Sequence, residues 1–470
     1  MKYSSTQALI VIFFSIMLRF NAELQFLSYL MVAAYSLFGL RQVLLSMLLV
    51  WIFIMLNTSI AGPNTFSHIG RVLVLFCSMF SILIYYPAKR DFKISKLFLV
   101  TIIFGIFLIF HSIFFSVIPS LSLSKSIYWI ASFLTIFFAW NSMNNKTFNE
   151  FSKFFYYLLV GILLINFSLI NSPLGFVQNI DLFQGFFDHP NAFGIFCSIL
   201  VSFSIGRLNT ANKNSVIYFM IIILGFLLIL FSGSRTAGFA VILSLIAAFI
   251  IMRFFTSRKL ETAFSIKIFY ILTTFLIISY AIFSILEVSL INNFINKGQN
   301  TSQTLDYNDY EMSIELSNSN SKSSNSSDSL KDYYMKSRGV IIVPMISNIK
   351  IRPLTGLGFG VSSTPSNMNI AKDPIFGIPL SAPIEKGFLP IAIIEELGIF
   401  GFLIFLYWIL IIYQYALNNR QLLIPIFFTL ILINAGEYVL FSPGGFGLFV
   451  LIFFGWICAA SKHKNDLMTR

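Results

Sequence analysis

The chain has 470 residues, of which 57% are apolar, 17% aromatic and only 11% charged, with a mean hydropathy of +0.84 and a formal net charge of +12. That composition excludes soluble enzymes, disordered chains and fibrous proteins. The basic residues sit in short clusters between apolar runs, where the positive-inside rule places them, so nucleic acid is not an expected partner.

A helix needs roughly 20 residues to cross the hydrocarbon core. Division at the polar breaks predicts spans over about 7–20, 24–40, 42–60, 71–87, 97–118, 126–142, 152–171, 191–206, 214–232, 235–254, 267–287, 389–415, 421–440 and 445–461. Residues 1–287 thus form an N-terminal bundle of about eleven helices, 288–388 one large outer loop, and 389–470 the C-terminal helices and tail. The first apolar stretch follows Met1 and Lys2 with no small-residue cleavage site, and reads as a membrane helix that stays attached. With the N-terminus inside, eighteen Lys and Arg residues fall in the inner loops and tails, whereas the short outer connections carry only Arg19, Arg71, Lys125 and Arg235. This asymmetry places both termini on the cytoplasmic side. Cys77, Cys197 and Cys458 are far apart inside apolar segments, which argues against a disulfide framework or a thiolate metal site.

The outer loop has two halves. Residues 313–330 contain the run SNSNSKSSNSSDS and read as a flexible low-complexity tether that cannot bury a core. From about 331 to 350, Ile342, Met345, Ile346 and Ile349 recur at helical spacing, which predicts an amphipathic helix on the outer membrane interface, bent at Pro344. In RPLTGLGFG, Pro353, Gly356, Gly358 and Gly360 then mark a tight irregular turn.

Ionisable residues in or beside spans are costly in a bilayer and therefore informative. Asp188, His189, Pro190 and Asn191 in GFFDHPNAFG open a span; Pro and Asn there suit ordinary helix capping, and His189 also suits donation to a sugar hydroxyl or a phosphate. Arg235 in FSGSRTAGFA, at the outer edge of a helix with Ser234 and Thr236 beside it, fits either an anionic head group or a snorkelling interfacial arginine. Arg338 and Arg352 lie in the loop, and Glu385 with Lys386 precede the next span, where an acid suits proton abstraction from a sugar hydroxyl or simple solvation. Glu395 and Glu396 within that span need a polar cavity or a basic partner, and Glu437 with Asn434 raises the same question in the following span. With neither a Gly-rich phosphate loop nor a His-x-x-x-His or Cys-x-x-Cys pair, no metal site and no cofactor is expected. A transporter remains open on composition, although no matched pair of broken spans is visible in two halves.

In order, GFFDHPNAFG, FSGSRTAG, KSRGVIIVPMISNIKIRPLTGLGFG and EKGFLPIAIIEELGIFG resemble the O-antigen polymerase and O-antigen ligase superfamily of bacterial envelope proteins, over roughly residues 180–415. The resemblance implies an all-α polytopic integral membrane protein with twelve to fourteen transmembrane helices and one large periplasmic loop containing short helices, in the bacterial inner membrane. It implies a metal-independent inverting glycosyltransferase whose donor and acceptor are undecaprenyl-pyrophosphate-linked oligosaccharides, with a chain-length regulator and a flippase as partners. The family's span-edge arginine maps onto Arg235 and its loop arginine onto Arg338, both holding the leaving pyrophosphate. His189, Asn191, Arg352 and Lys386 would line the substrate site. Ligases carry a His-Asn pair where this chain has Glu385-Lys386, which leaves Glu385 as the candidate base and favours a polymerase of O-antigen, capsule or exopolysaccharide repeat units over a ligase. On this reading the structured half of the loop forms a lid over both lipid-linked substrates.

Overall fold

The computed structural model describes residues 5–85, 95–177, 182–210, 215–255, 340–361, 371–372, 379–381, 387–442 and 444–463. A helix stands at every expected span that falls within them. In chain order these are α1 (Ser5–Phe20), α2 (Gln25–Ser36), α3 (Leu40–Met55), the single turn α4 (Thr58–Ala61), α5 (Ser67–Tyr85), α6 (Lys96–Phe114), α7 (Pro119–Asn141), α8 (Asn145–Ser168), α9 (Pro190–Thr210), α10 (Ser215–Phe231) and α11 (Arg235–Phe255). After them come α12 (Val340–Ile351), a short antiparallel pair β1 (Ala371–Lys372) and β2 (Pro379–Ser381), α13 (Leu389–Asn418), α14 (Arg420–Leu432) and α15 (Gly447–Lys462). The expected span 267–287, the tether 313–330 and residues Arg338, Glu385 and Lys386 lie outside the described residues.

Local chemistry sets the helix starts. Ser95 Oγ accepts from the Phe98 N–H ahead of α6, Asn144 Oδ1 accepts from Thr147 N–H at 2.8 Å ahead of α8, and Pro119 occupies the first turn of α7, where its missing N–H costs nothing. Several ends differ from the expected bounds. The span expected to reach 60 stops at Met55, because Leu56 turns extended to pair with Phe187 and Asn57 caps the separate turn α4. The span expected to reach 440 stops at Leu432, followed by the 3-10 turn Ile433–Ala435, so Glu437 stands in a loop rather than in a helix.

Among the described residues, seven helices are long and apolar enough to cross a membrane: Ser67–Tyr85, Lys96–Phe114, Pro119–Asn141, Asn145–Asn171, Pro190–Leu208, Arg235–Arg253 and Leu389–Asn418. The other apolar helices are shorter; α3 and α15 have 16 residues each, about 24 Å against roughly 30 Å of hydrocarbon.

The side-chain distribution suits a lipid environment. On α5, Val72, Phe76, Met79, Phe80 and Leu83 form an exposed apolar stripe at helical spacing, while Ser78 and Ser81 face inward. α6 repeats the pattern, with Leu99, Ile103, Ile106 and Phe110 outside and Thr101, Ser112 and His111 inside. Inside, Ser112 and Ser126 share a 2.9 Å hydroxyl contact, and four indoles are anchored: Trp408 to Thr101 Oγ1, Trp456 to Ser152 Oγ, and Trp129 and Trp140 to the Leu440 and Ile452 carbonyls. Without water to compete, these pairs hold helices together where burial of apolar surface cannot. α14 packs between α9 and α11, and α13 packs against α6 and α15, with Ile399, Phe400, Leu403, Leu406 and Leu410 of α13 exposed on its other face.

Candidate functional site

The glycine turn that follows α12 is buried in the bundle, and the reason lies in α13. At Gly398 the backbone of α13 takes φ 67° and ψ −175°, a conformation essentially reserved for glycine, and the helix breaks. The break strips helical partners from three backbone groups, and the turn supplies all three. Leu357 N–H donates to the Glu395 carbonyl at 2.8 Å, Gly358 N–H to the Glu396 carbonyl at 2.8 Å, and Ile399 N–H donates to the Pro353 carbonyl at 3.0 Å. Irregular backbone at membrane depth is tolerated where protein satisfies it in this way. Gly356, Gly358 and Gly360 take positive φ of 65°, 124° and 72°, in keeping with the irregular turn expected from RPLTGLGFG.

The same wedge answers the question of the two acids. Glu395 and Glu396 are both 0% exposed. Glu395 Oε1 accepts from Asn348 Nδ2 of α12 at 2.8 Å, while Glu396 Oε2 accepts from Gly360 N–H at 2.6 Å and from the Tyr438 hydroxyl at 2.7 Å. His111 of α6 bonds through Nε2 to the Thr355 carbonyl, which ties the turn to a third helix. The turn 353–360 is thereby wedged into the break of α13. α12 likewise docks on α13 through Asn348, and of its expected apolar stripe Met345 is fully buried whereas Ile346 is exposed.

At the same end of the bundle, Asp188 and His189 precede α9, and both are exposed. His189 Nδ1 accepts from Asn191 N–H at 3.1 Å, so the neutral ring carries its proton on Nε2, the atom left to donate outward. Asn191 Nδ2 donates to Glu437 Oε1 at 3.1 Å, and Glu437 is only 6% exposed. Arg235 begins α11 and is exposed. One turn into α9, Gly194 lies against Ser234, and Gly436 lies against Thr236; a Cβ at either glycine would overlap its neighbour. The starts of α9 and α11, which carry Asn191 and Arg235, thereby meet the segment that carries Glu437.

The segment Gly436–Glu437–Tyr438 is the hub. Its three residues meet, in order, the start of α11, the start of α9 and the Glu396 carboxylate at the wedge. Asn434 prepares it: Oδ1 accepts from Val439 and Leu440 N–H at 3.2 and 2.9 Å, and Nδ2 donates to the Leu430 carbonyl. Asn434 is thus spent on backbone, and Asn191, 246 positions away in sequence, supplies the Glu437 amide partner. Arg352, expected in the substrate site, is exposed at the end of α12, where its carbonyl accepts from Gly356 N–H to start the turn.

Tyr438 carries no signal in the sequence, because one tyrosine in an apolar stretch has no local pattern to mark it. Among the described residues, no three His, Cys, Asp or Glu side chains converge as a metal-ligand set. The arrangement puts an exposed guanidinium at the start of α11, an imidazole N–H just before α9 and an enclosed carboxylate on the loop that both starts meet, groups able to bind an anionic, hydroxyl-bearing molecule. In comparisons with known proteins, the sequence matches no family model and no curated protein, so the site rests on its own geometry and motifs.

Proposed function

We propose that the protein is a bacterial polysaccharide polymerase that transfers glycan from polyprenyl pyrophosphate to a sugar hydroxyl of a lipid-linked acceptor. The observation that supports this most is that the starts of α9 and α11, which carry Asn191 and Arg235, both meet the 436–438 loop, where Asn191 donates to Glu437 and His189 accepts from Asn191 N–H. A departing pyrophosphate gains negative charge, and a guanidinium beside the α11 N-terminus stabilises it. The imidazole N–H of His189 binds a phosphate or sugar oxygen, with Arg338 and Arg352 as further cations and Glu385 as base for the acceptor hydroxyl. Placement in the inner membrane, with the large loop on the periplasmic side, belongs to the same proposal.

Deletion of the gene in the source bacterium, followed by gel analysis of surface polysaccharide, tests the reading. The ladder is expected to disappear while a single capped repeat unit survives, and Arg235→Ala and Arg338→Ala are expected to reproduce this with the protein still in the membrane. Uncapped core with long polymer retained on the carrier would mean a ligase instead. A second reading, carriage of a lipid-linked saccharide across the membrane, is favoured by the broken helix α13 with its two enclosed carboxylates. Under that reading, deletion removes lipid-linked substrate from the outer face.

A further inference from the structure

The loop between α14 and α15 is ringed by helices, yet its middle is open to solvent. Along the loop, α11 meets Gly436 through Thr236, α9 meets Glu437 through Asn191, and α13 meets Tyr438 through Glu396. Further on, α7 meets Leu440 through Trp129, α5 meets Gly444 through Arg71, and α3 meets Gly445 through Met55. Leu440 and Phe441 are buried, and the next residue, Ser442, is exposed. We propose that this loop floors a water-filled vestibule, open at the end of the bundle where α7, α9, α11 and α13 begin, in which Ser442 hydrogen-bonds the saccharide part of the substrate. The saccharide rests on the polymerase reading, whereas the vestibule rests on geometry alone.

The loop is recessed. α7 begins at Pro119 and meets it at Trp129, and α13 begins at Leu389 and meets it at Glu396. At 1.5 Å per residue, about 15 Å of α7 and about 10 Å of α13 stand above these contacts. The opening at Ser442 does not face lipid. The contacts on either side of it come from α7 and α5, which pack on each other, and the Arg71 guanidinium lies 5.7 Å from the Tyr128 ring centroid of α7. The outward apolar residues of these two helices are others, Ile127 on α7 and Val72 and Phe76 on α5. Ser442 therefore opens along the bundle axis.

Irregular backbone at such a depth persists where protein buries it or where it lines a water-filled cavity. Leu440 and Phe441 are the first case, and Ser442 is the second. The approach is polar: Asp188 and His189, just before Asn191, and Arg235, just before Thr236, are all exposed. A serine hydroxyl donates one hydrogen bond and accepts others, as each hydroxyl of a sugar does, so Ser442 pairs with a neutral saccharide where a fixed charge would demand a partner of its own.

The test uses the full chain with Cys77→Ala in phosphatidylcholine nanodiscs, and a charged methanethiosulfonate, which does not enter lipid, as the probe. Cys197 and Cys458 are buried and should stay silent. Ser442→Cys is expected to react within about tenfold of the rate of Ser59→Cys on the exposed turn α4, because a thiolate reacts wherever the reagent reaches it. Ser78→Cys, buried in α5, should not react. A Ser442→Cys thiol as silent as Ser78→Cys overturns the vestibule. Occupancy is read in the source bacterium with Ser442→Trp, whose indole fills the floor: the polysaccharide ladder should be lost or shortened, with the melting temperature of the wild type. If that variant fails to fold, the charged adduct on Ser442→Cys, formed after folding, takes its place, read as loss of the polymer made by treated membranes. A full-length ladder with the floor filled overturns the saccharide contact. An unchanged ladder on gene deletion with a reactive Ser442→Cys sinks the polymerase reading and the saccharide with it, leaving the vestibule; a ladder lost on deletion with a silent thiol does the reverse.

Discussion

Gly398→Ala is the most direct probe of how the wedge and the broken helix depend on each other. An L-residue at φ 67° and ψ −175° costs about 1–3 kcal/mol in backbone strain. A Cβ at 398 also overlaps the Leu354 carbonyl oxygen, which is backbone and cannot rotate away. The turn must then retreat, breaking the bonds Leu357 to Glu395, Gly358 to Glu396 and Ile399 to Pro353, at about 1 kcal/mol each. The sum is roughly 4–6 kcal/mol, a large part of the 5–15 kcal/mol that typically separates folded from unfolded chains. The assay is thermal unfolding in detergent followed by tryptophan fluorescence, since Trp408 of α13 packs against Trp129 with ring centroids 5.4 Å apart. Gly161→Ala in α8 is the control, because nothing lies within 4 Å of a Cβ there and alanine favours the helix by up to about 1 kcal/mol. If Gly398→Ala melts at the same temperature as Gly161→Ala, the break is not held by the close approach of the turn, and the argument fails.

Two further outcomes follow from the site. Asn191→Ala removes the amide that donates to the enclosed Glu437 carboxylate and is expected to cost about 1–3 kcal/mol, read as a lower melting temperature; an unchanged melt would show that the contact contributes nothing. Although Asp188 is exposed on one side, the protein around it desolvates the carboxyl in part and pushes it above its ordinary value, opposed by the Thr58 backbone N–H and by His189. A carboxyl raised on folding stabilises the fold below its unfolded value, and that contribution is lost as pH rises through the folded value. Asp188→Asn should therefore melt higher than wild type near neutral pH and show no such advantage in acid below the ordinary carboxylate range. An equal difference at both pH values would refute the assignment.

Much of the bundle was legible because a lipid-facing helix must be apolar along its whole length, and such runs need no tertiary information to be seen. Helices stand at the expected spans within the described residues, and the glycines of RPLTGLGFG announced an irregular turn that the backbone adopts. The lengths were less legible. Helix ends at Met55 and Leu432 are set by where the chain pairs elsewhere, with Phe187 and with the Asn434 side chain, and hydropathy continues past both.

The sequence by itself determined the solvent of this protein, the order of its helices and the residues whose charge demands a partner, because each follows from composition or local spacing. Only the tertiary structure decided who those partners are. Glu437 meets Asn191, Glu396 meets Gly360 and Tyr438, and Arg71 meets Gly444 from 373 positions away. The broken helix shows the same division: glycine at 398 permits the break, but the break forms only because the 353–358 backbone returns to satisfy the groups it exposes. In an apolar medium an unpaired polar group is too costly to leave, so which distant segments meet is decided by the pairing of such groups, which no local pattern records.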